Sequence, residues 1–284
     1  MKKLLYMAAC MFATLVFIGC NDMDNEPSGT YGEDEFWASV DKAQYLLNMI
    51  YNQHYSATMM WSDETLSDNL MRTRDYNDER VIRNGNAETT TPIFASTWKN
   101  LYGGIKTANM FLANIDRLKA DPKQINGMKA QARYLRAWMY LRLTEFYGNV
   151  PYFTHELSVA DSKRVARTPH VQIMRALHTE LDSIMPHLPR RDDLTDDQRG
   201  QITCGAAVAL HARAYLYDAD WAKAERYCNR LISQQEKYGH YSLFPNYAAL
   251  FTQEAEYNEE IIADCEYAPK VRVWEDMFNM APLS

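Results

Sequence analysis

The sequence predicts an all-α protein, with helical hairpins stacked as an imperfect solenoid. Three observations carry that reading. The 284 residues hold 11 Gly against 15 Met and 19 Tyr, a balance that leans towards helices. Apolar residues recur at spacings of three, four and seven along most of the chain. No series of alternating apolar and polar runs suggests a set of strands. Hydrophobic residues make up 47 % and charged residues 24 %, which excludes a disordered chain. A chain of this length buries a core without a disulfide or metal staple. The net charge of −7, from 37 acidic and 30 basic residues, argues against nucleic acid as the main partner.

Residues 1–19 read as a lipoprotein signal peptide. Lys2 and Lys3 form a basic start, and Leu4 to Gly19 is an uncharged, mostly apolar run too short for a comfortable membrane span. The run ends Leu15-Val16-Phe17-Ile18-Gly19-Cys20, which resembles a bacterial lipobox with Phe17 where Leu is commoner. Cys20 is therefore the expected lipidation site, and two or more acyl chains there give stable anchoring. The competing readings are a plain secretory signal with an incidental Cys, or a membrane anchor. Cleavage removes two lysines and no acids, so the charge of −7 becomes −9. Residues 20–30 are acidic and polar and end in turn formers, an expected flexible tether. This stretch also looks like the acidic export signal of surface lipoproteins in Gram-negative anaerobes. Cys204, Cys228 and Cys265 remain, an odd number without C-x-x-C spacing, so buried free thiols are expected.

Residues 31–284 read as one helical domain. Glu33 to Tyr55 opens with acids and places Phe36, Ala43, Leu46, Leu47, Ile50 and Tyr51 on one face. Tyr76 to Thr91 is polar, contains the Asn84-Gly85-Asn86 turn signal, and reads as a long exposed loop. Trp98, Leu101, Tyr102, Ile105, Ala108, Leu112, Ile115 and Leu118 then form a clean stripe. Asp121-Pro122 restarts the helix, and Lys129 to Tyr147 carries Ala132, Leu135, Trp138, Met139, Leu143 and Phe146. Val171, Met174, Leu177, Leu181, Ile184 and Leu188 make a third stripe, bent at Pro186. Helices are expected near 33–54, 93–119, 123–147, 169–188, 203–218 and 220–236.

Ile202 to Gln235 reads as a hairpin. Ala206, Ala207, Ala209, Leu210, Ala212, Ala214 and Tyr215 form a small-residue helix, followed by an Asp218-Ala219-Asp220 turn. Trp221, Ala224, Tyr227, Leu231 and Ile232 are expected to line the returning helix. This is similar to a tetratricopeptide unit, two antiparallel helices packed through an alanine-rich seam.

Four local motifs, in this order, resemble the SusD/RagB-like nutrient-uptake outer-membrane lipoproteins. They are Trp98-Lys99-Asn100-Leu101-Tyr102-Gly103-Gly104-Ile105 with Ala108-Asn109; KAQARYLRAWMYLRLTEFYGNV from Lys129 to Val150, followed by Pro151; Arg167-Thr168-Pro169 leading to Leu188-Pro189; and AVALHARAYLYDADW leading to Tyr247-Ala248-Ala249-Leu250-Phe251 and Asn258-Glu259-Glu260-Ile261-Ile262. The resemblance implies a SusD-like fold, outer-membrane attachment, and capture of oligosaccharide or peptide nutrient for a SusC-like TonB-dependent transporter. Members of that family usually run to nearly twice this length, so the chain is expected to correspond to their tetratricopeptide-rich N-terminal half. Ligand binding by that half alone is expected to be weaker.

No catalytic residue, metal or cofactor is expected. The chain has no H-E-x-x-H, G-x-S-x-G, P-loop or G-x-G-x-x-G. Asp75-Tyr76-Asn77-Asp78-Glu79 begins like a calcium loop, but Arg80 replaces the Gly that loop needs. Asp192-Asp193 and Asp196-Asp197 read as a solvated linker, and His178 near Glu180 and His155 beside Glu156 read as structural. The expected sugar contacts are Trp61, Asp63, Asp68, Asn69, Arg72, Arg74, Tyr76 and Asn77, which offer rings and hydrogen-bonding forks in one polar stretch. The resemblance implies that this region helps build the ligand face. Against that stands a reading in which Trp61 packs under the loop and the charges are merely solvated. Trp98 is expected in the core, and Asn109 on a buried carbonyl. Three functions compete: a nutrient-binding lipoprotein working with a transporter, a scaffold subunit that binds only protein, and a carbohydrate-active enzyme.

Overall fold

The structure is a computed structural model that describes residues 37–70 and 78–267. Its frame is helical, as expected. The first helix, α1 (Val40–Asn52), buries Ala43, Leu46, Leu47 and Ile50. Its expected start at residue 33 is corrected, because Trp37 and Ala38 form a turn. Trp37 instead packs its ring against Phe111, with centroids 6.0 Å apart. A short helix, α2 (Ala57–Glu64), follows and buries none of its own residues.

The polar stretch up to Thr91 is not simply a loop. It contains α3 (Asp78–Arg83), which ends at Gly85, whose φ of 73° no β-carbon would tolerate comfortably. Six largely polar residues carry no apolar stripe, so their helix rests on tertiary partners. Glu79 is buried and accepts a hydrogen bond from Ser62 at 2.8 Å. The Arg83 Nη1 donates to the Thr65 carbonyl at 2.6 Å. The Asp78 carboxylate accepts from the Ile93 amide at 2.7 Å, satisfying the open start of the next helix.

That helix is α4 (Pro92–Asn114), with Pro at its first position, where no amide hydrogen is missed. Next comes α5 (Pro122–Tyr147), the longest of the described helices, capped by Asp121 on the Lys123 amide at 2.9 Å. At Gly104 side chains from α5 and from the end of α1 fill the space of a β-carbon, which would lie 2.5 Å from Met139 Sδ and 2.8 Å from Gln53 Cβ. A two-residue antiparallel ladder joins β1 (Val150–Pro151) to β2 (Arg167–Thr168), with the single-turn helix α6 (Val159–Ser162) between them.

The next helix, α7 (His170–Ile184), runs into a 3-10 turn over Met185–His187, where Pro186 was expected to bend the chain. Val171 leaves the expected stripe and is exposed, and Ile173 takes the buried place. On a helix, Val171 lies about 100° from the mean direction of Met174, Leu177, Leu181 and Ile184.

The hairpin is α8 (Cys204–Tyr217) and α9 (Trp221–Ser233), followed by one more turn, α10 (Gln235–Tyr238). Thr203 caps α8, and Asp220 caps α9 after Ala219 takes a φ of 56°. The seam is small on the α8 side, as expected. On α9, Trp221 and Ile232 are exposed instead of lining it. They stand about a quarter turn off the face that carries Ala224, Tyr227 and Leu231. Cys204, Cys228 and Cys265 are free thiols, of which only Cys204 is buried. One core runs through α1, α4, α5, α7 and α8, with Leu47, Phe111, Leu135, Tyr140 and Leu181 among its fully buried side chains.

Candidate functional site

The expected sugar-contact stretch begins on α2, which is tied to the C-terminal part of α5. Ser56 starts α2 by accepting from the Met59 amide at 3.1 Å. Asp63, one residue from its end, is ion-paired with the Arg142 guanidinium on α5. The same guanidinium reaches Glu145 at 3.1 Å and lies over the Phe146 ring, 4.6 Å from its centroid. Burial pushes the Asp63 carboxyl above its ordinary range, although Arg142 works against the shift. Burial raises Glu145 in the same way. A guanidinium holding two half-buried carboxylates fixes α2 to the frame.

Aromatic rings extend this corner. Tyr55 stands edge-on to Trp138 at 5.9 Å, and His54 meets the same indole at 4.4 Å. The charges of Asp63, Arg213 and Arg142 all act on the Tyr55 phenol, whose pKa burial raises. Arg213 arrives from α8, so three helices converge here.

The expected residues divide into three groups. Trp61 and Asp63 are half-buried, and Asp63 is committed to Arg142. Asp68 and Asn69 are exposed, Asn69 reaching Glu64 only at 3.4 Å. Arg72, Arg74, Tyr76, Asn77 and the lipid-site Cys20 lie outside the described residues. Arg142, Glu145 and Arg213 belong to the corner but were not singled out in the sequence. Their one local signal is the i, i+3 spacing of Arg142 and Glu145.

Residues read as structural behave so. Asn109 donates to the His155 carbonyl at 3.0 Å and accepts from Arg136 at 2.6 Å. Trp98 is half-buried against the core, its ring 4.8 Å from Tyr102 and 5.1 Å from Tyr147. Rings free of the core stand elsewhere: Tyr217 and Trp221 at the hairpin tip, and Tyr247 with Phe251, edge-on at 5.2 Å. Among the described residues, no helix is long and apolar enough to cross a membrane.

The chain belongs to the SusD-like family described as starch-binding and associating with the outer membrane, which matches residues 27–216. It is similar to SusD-like protein P25 of Formosa agariphila, 29 % identical over 63 % of this chain and 33 % of that protein. SusD-like protein P2 of the same organism is 24 % identical over 88 % of this chain and 50 % of its own length. The chain thus spans a third to a half of these curated relatives. Among solved structures, a laminarin-binding SusD-like protein superposes with a TM-score of 0.71 at 24 % identity, over 80 % of this chain and 51 % of that one.

Proposed function

We propose that this chain is a cell-surface lipoprotein that binds oligosaccharide and passes it to a SusC-like TonB-dependent transporter in the outer membrane. The observation that carries the reading is the family match over residues 27–216, which joins starch binding to the outer membrane. The fold adds a rigid platform, α5, under a polar segment bearing Trp61, Asp68 and Asn69. In this reading residues 1–19 are the signal peptide, Cys20 carries the lipid, 20–30 form the tether and 31–284 the helical domain. The protein acts by binding, not by catalysis, and needs no metal or cofactor. Rings stack on the C–H faces of sugars while exposed carboxylates and amides meet their hydroxyls.

Each ring–sugar stack contributes about 1 kcal/mol, so affinity in the micromolar range or weaker is expected. Calorimetry with laminarin oligosaccharides tests this. Replacing Trp61 and Tyr76 together by Ala should lower affinity about thirtyfold while the helical circular dichroism stays unchanged. Wild-type affinity in the folded double variant would place the ligand face elsewhere. Anchoring has its own test: labelled palmitate should mark the wild-type protein, and Cys20→Ala should abolish the label. An unlabelled wild type would remove the lipid anchor from the proposal.

A second reading, a scaffold subunit without its own ligand site, gains support from Asp63, whose carboxylate is held by Arg142 rather than presented to a ligand. Recovery of the transporter barrel in a pull-down, with no glycan bound in calorimetry, would favour that reading.

A further inference from the structure

Between the connection that follows α7 and the segment around Tyr257–Asp264 lies a cavity of about 320 Å³. Small-molecule sites span roughly 300–1,000 Å³, so this one suits a single ring. Arg191 is its most informative wall. Its Nη2 donates to the Tyr257 carbonyl at 2.5 Å and to the Asn258 carbonyl at 2.7 Å. Both bonds leave from the same nitrogen. The other, Nη1, is buried without a hydrogen-bond partner. A buried donor of that kind is uncommon, because leaving it unmet is costly.

Asp264 lines the same cavity, close enough for the Arg191 charge to act on it but not hydrogen-bonded to it. Burial, with Glu266 beside it, pushes its carboxyl above the ordinary range. The remaining wall is partly apolar, from Ile261, Ile262 and Tyr257. An unmet donor on Arg191 and a carboxyl on Asp264, in the walls of one cavity, are complementary to neighbouring hydroxyls. One hydroxyl accepts from Arg191 Nη1 while the next donates to Asp264, and the ring's C–H groups meet the isoleucines.

We propose that this cavity is a binding site for one neutral sugar ring, held by Arg191 and Asp264. The site goes beyond the exposed-face reading, because none of its residues lies in the 61–77 stretch, and either site stands if the other fails.

Glucose titrated into the full chain, followed by amide proton–nitrogen spectra, tests it. The amides of Gly200, Gln201 and Ala263 should shift and saturate with a dissociation constant on the order of 1 mM, as befits so small a ligand. Ala263 lines the cavity yet is exposed, so Ala263→Trp fills the space without touching the core and should abolish the shifts. Arg191→Lys should weaken binding about tenfold, because a point charge cannot hold the two carbonyls and a hydroxyl together. Amides that stay still under glucose, or shifts that survive in folded Ala263→Trp, would overturn the site. Tighter binding of glucuronate than of glucose would overturn its neutral-sugar assignment.

Discussion

Replacing Arg136 by Ala should destabilise the protein by about 3–5 kcal/mol, the cost typical of breaking a buried charged pair. Arg136 is 5 % exposed, yet it is charged. Its Nη1 donates to Asn109 Oδ1 at 2.6 Å and to the Thr154 carbonyl at 3.0 Å, and its Nη2 donates to Glu180 at 2.6 Å. One side chain on α5 therefore ties α4, α7 and the chain after β1 together. Removing it leaves an amide oxygen and a carbonyl unmet, and leaves Glu180 only the half-exposed Arg133 at 3.1 Å. Glu180→Gln is a milder change of about 1–2 kcal/mol, because the amide oxygen still accepts. Arg136→Lys should recover only part of the loss, since an ammonium cannot span three acceptors in one plane. Urea denaturation reads all three variants. An Arg136→Ala midpoint within experimental error of the wild type would refute the account. The consequence reaches the candidate site, because Arg142, which holds α2, sits on the same helix less than two turns further on.

The helices α4, α7 and α9 were legible in the sequence because each has an apolar face at helical spacing. The helices α5 and α8, buried on most sides, were legible from long runs of good helix formers. Asp121-Pro122 is a start signal, and Asp121 caps as its residue type suggests. What periodicity could not supply was anything decided by a distant partner. The helix α3 has no stripe, and it exists because Glu79 and Asp78 meet Ser62 and Ile93. Trp221 looked like a core residue from its type, but position on the helix, not hydrophobicity, set its exposure. At the candidate site, the stretch from Trp61 to Asn69 is proposed on its mixture of rings and forks. The pairing of Asp63 with Arg142, 79 residues away, was not legible. His178 is a similar case. Its sequence neighbour Glu180 turns to Arg136, while His178 turns to α8.

That histidine contact predicts a marked acid sensitivity. His178 Nδ1 lies 2.8 Å from His211 Nδ1, and there is room between them for one hydrogen, not two. Tyr215 stacks on His178 at 3.7 Å and Tyr227 on His211 at 4.3 Å, closing the stack at both ends. His211 is 0 % exposed, and burial, then His178 and Arg230, pushes its pKa down to about 3. Asp182 stands 3.4 Å from His211 Nε2 but is half-exposed and does not hydrogen-bond to it, so solvent shares its charge. Burial lowers His178 as well, against the pull of Asp218 and Asp182. His211 thus stays neutral in the fold and takes up a proton when the chain unfolds. Below the ordinary histidine pKa of about 6.5 the unfolded state binds the extra proton, so stability falls with pH until the folded pKa is reached. Between pH 8 and pH 5 the loss from His211 should be about 2 kcal/mol, at about 1.4 kcal/mol for each pH unit below the unfolded value. His211→Phe keeps a ring in the stack and removes the proton site. Its stability should therefore change between pH 8 and pH 5 by about 2 kcal/mol less than the wild type's, whatever the variant costs at pH 8. Urea unfolding of both proteins at the two pH values measures the difference. Parallel pH profiles would mean that His211 already exchanges its proton in the folded state, and that the stack does not keep it neutral.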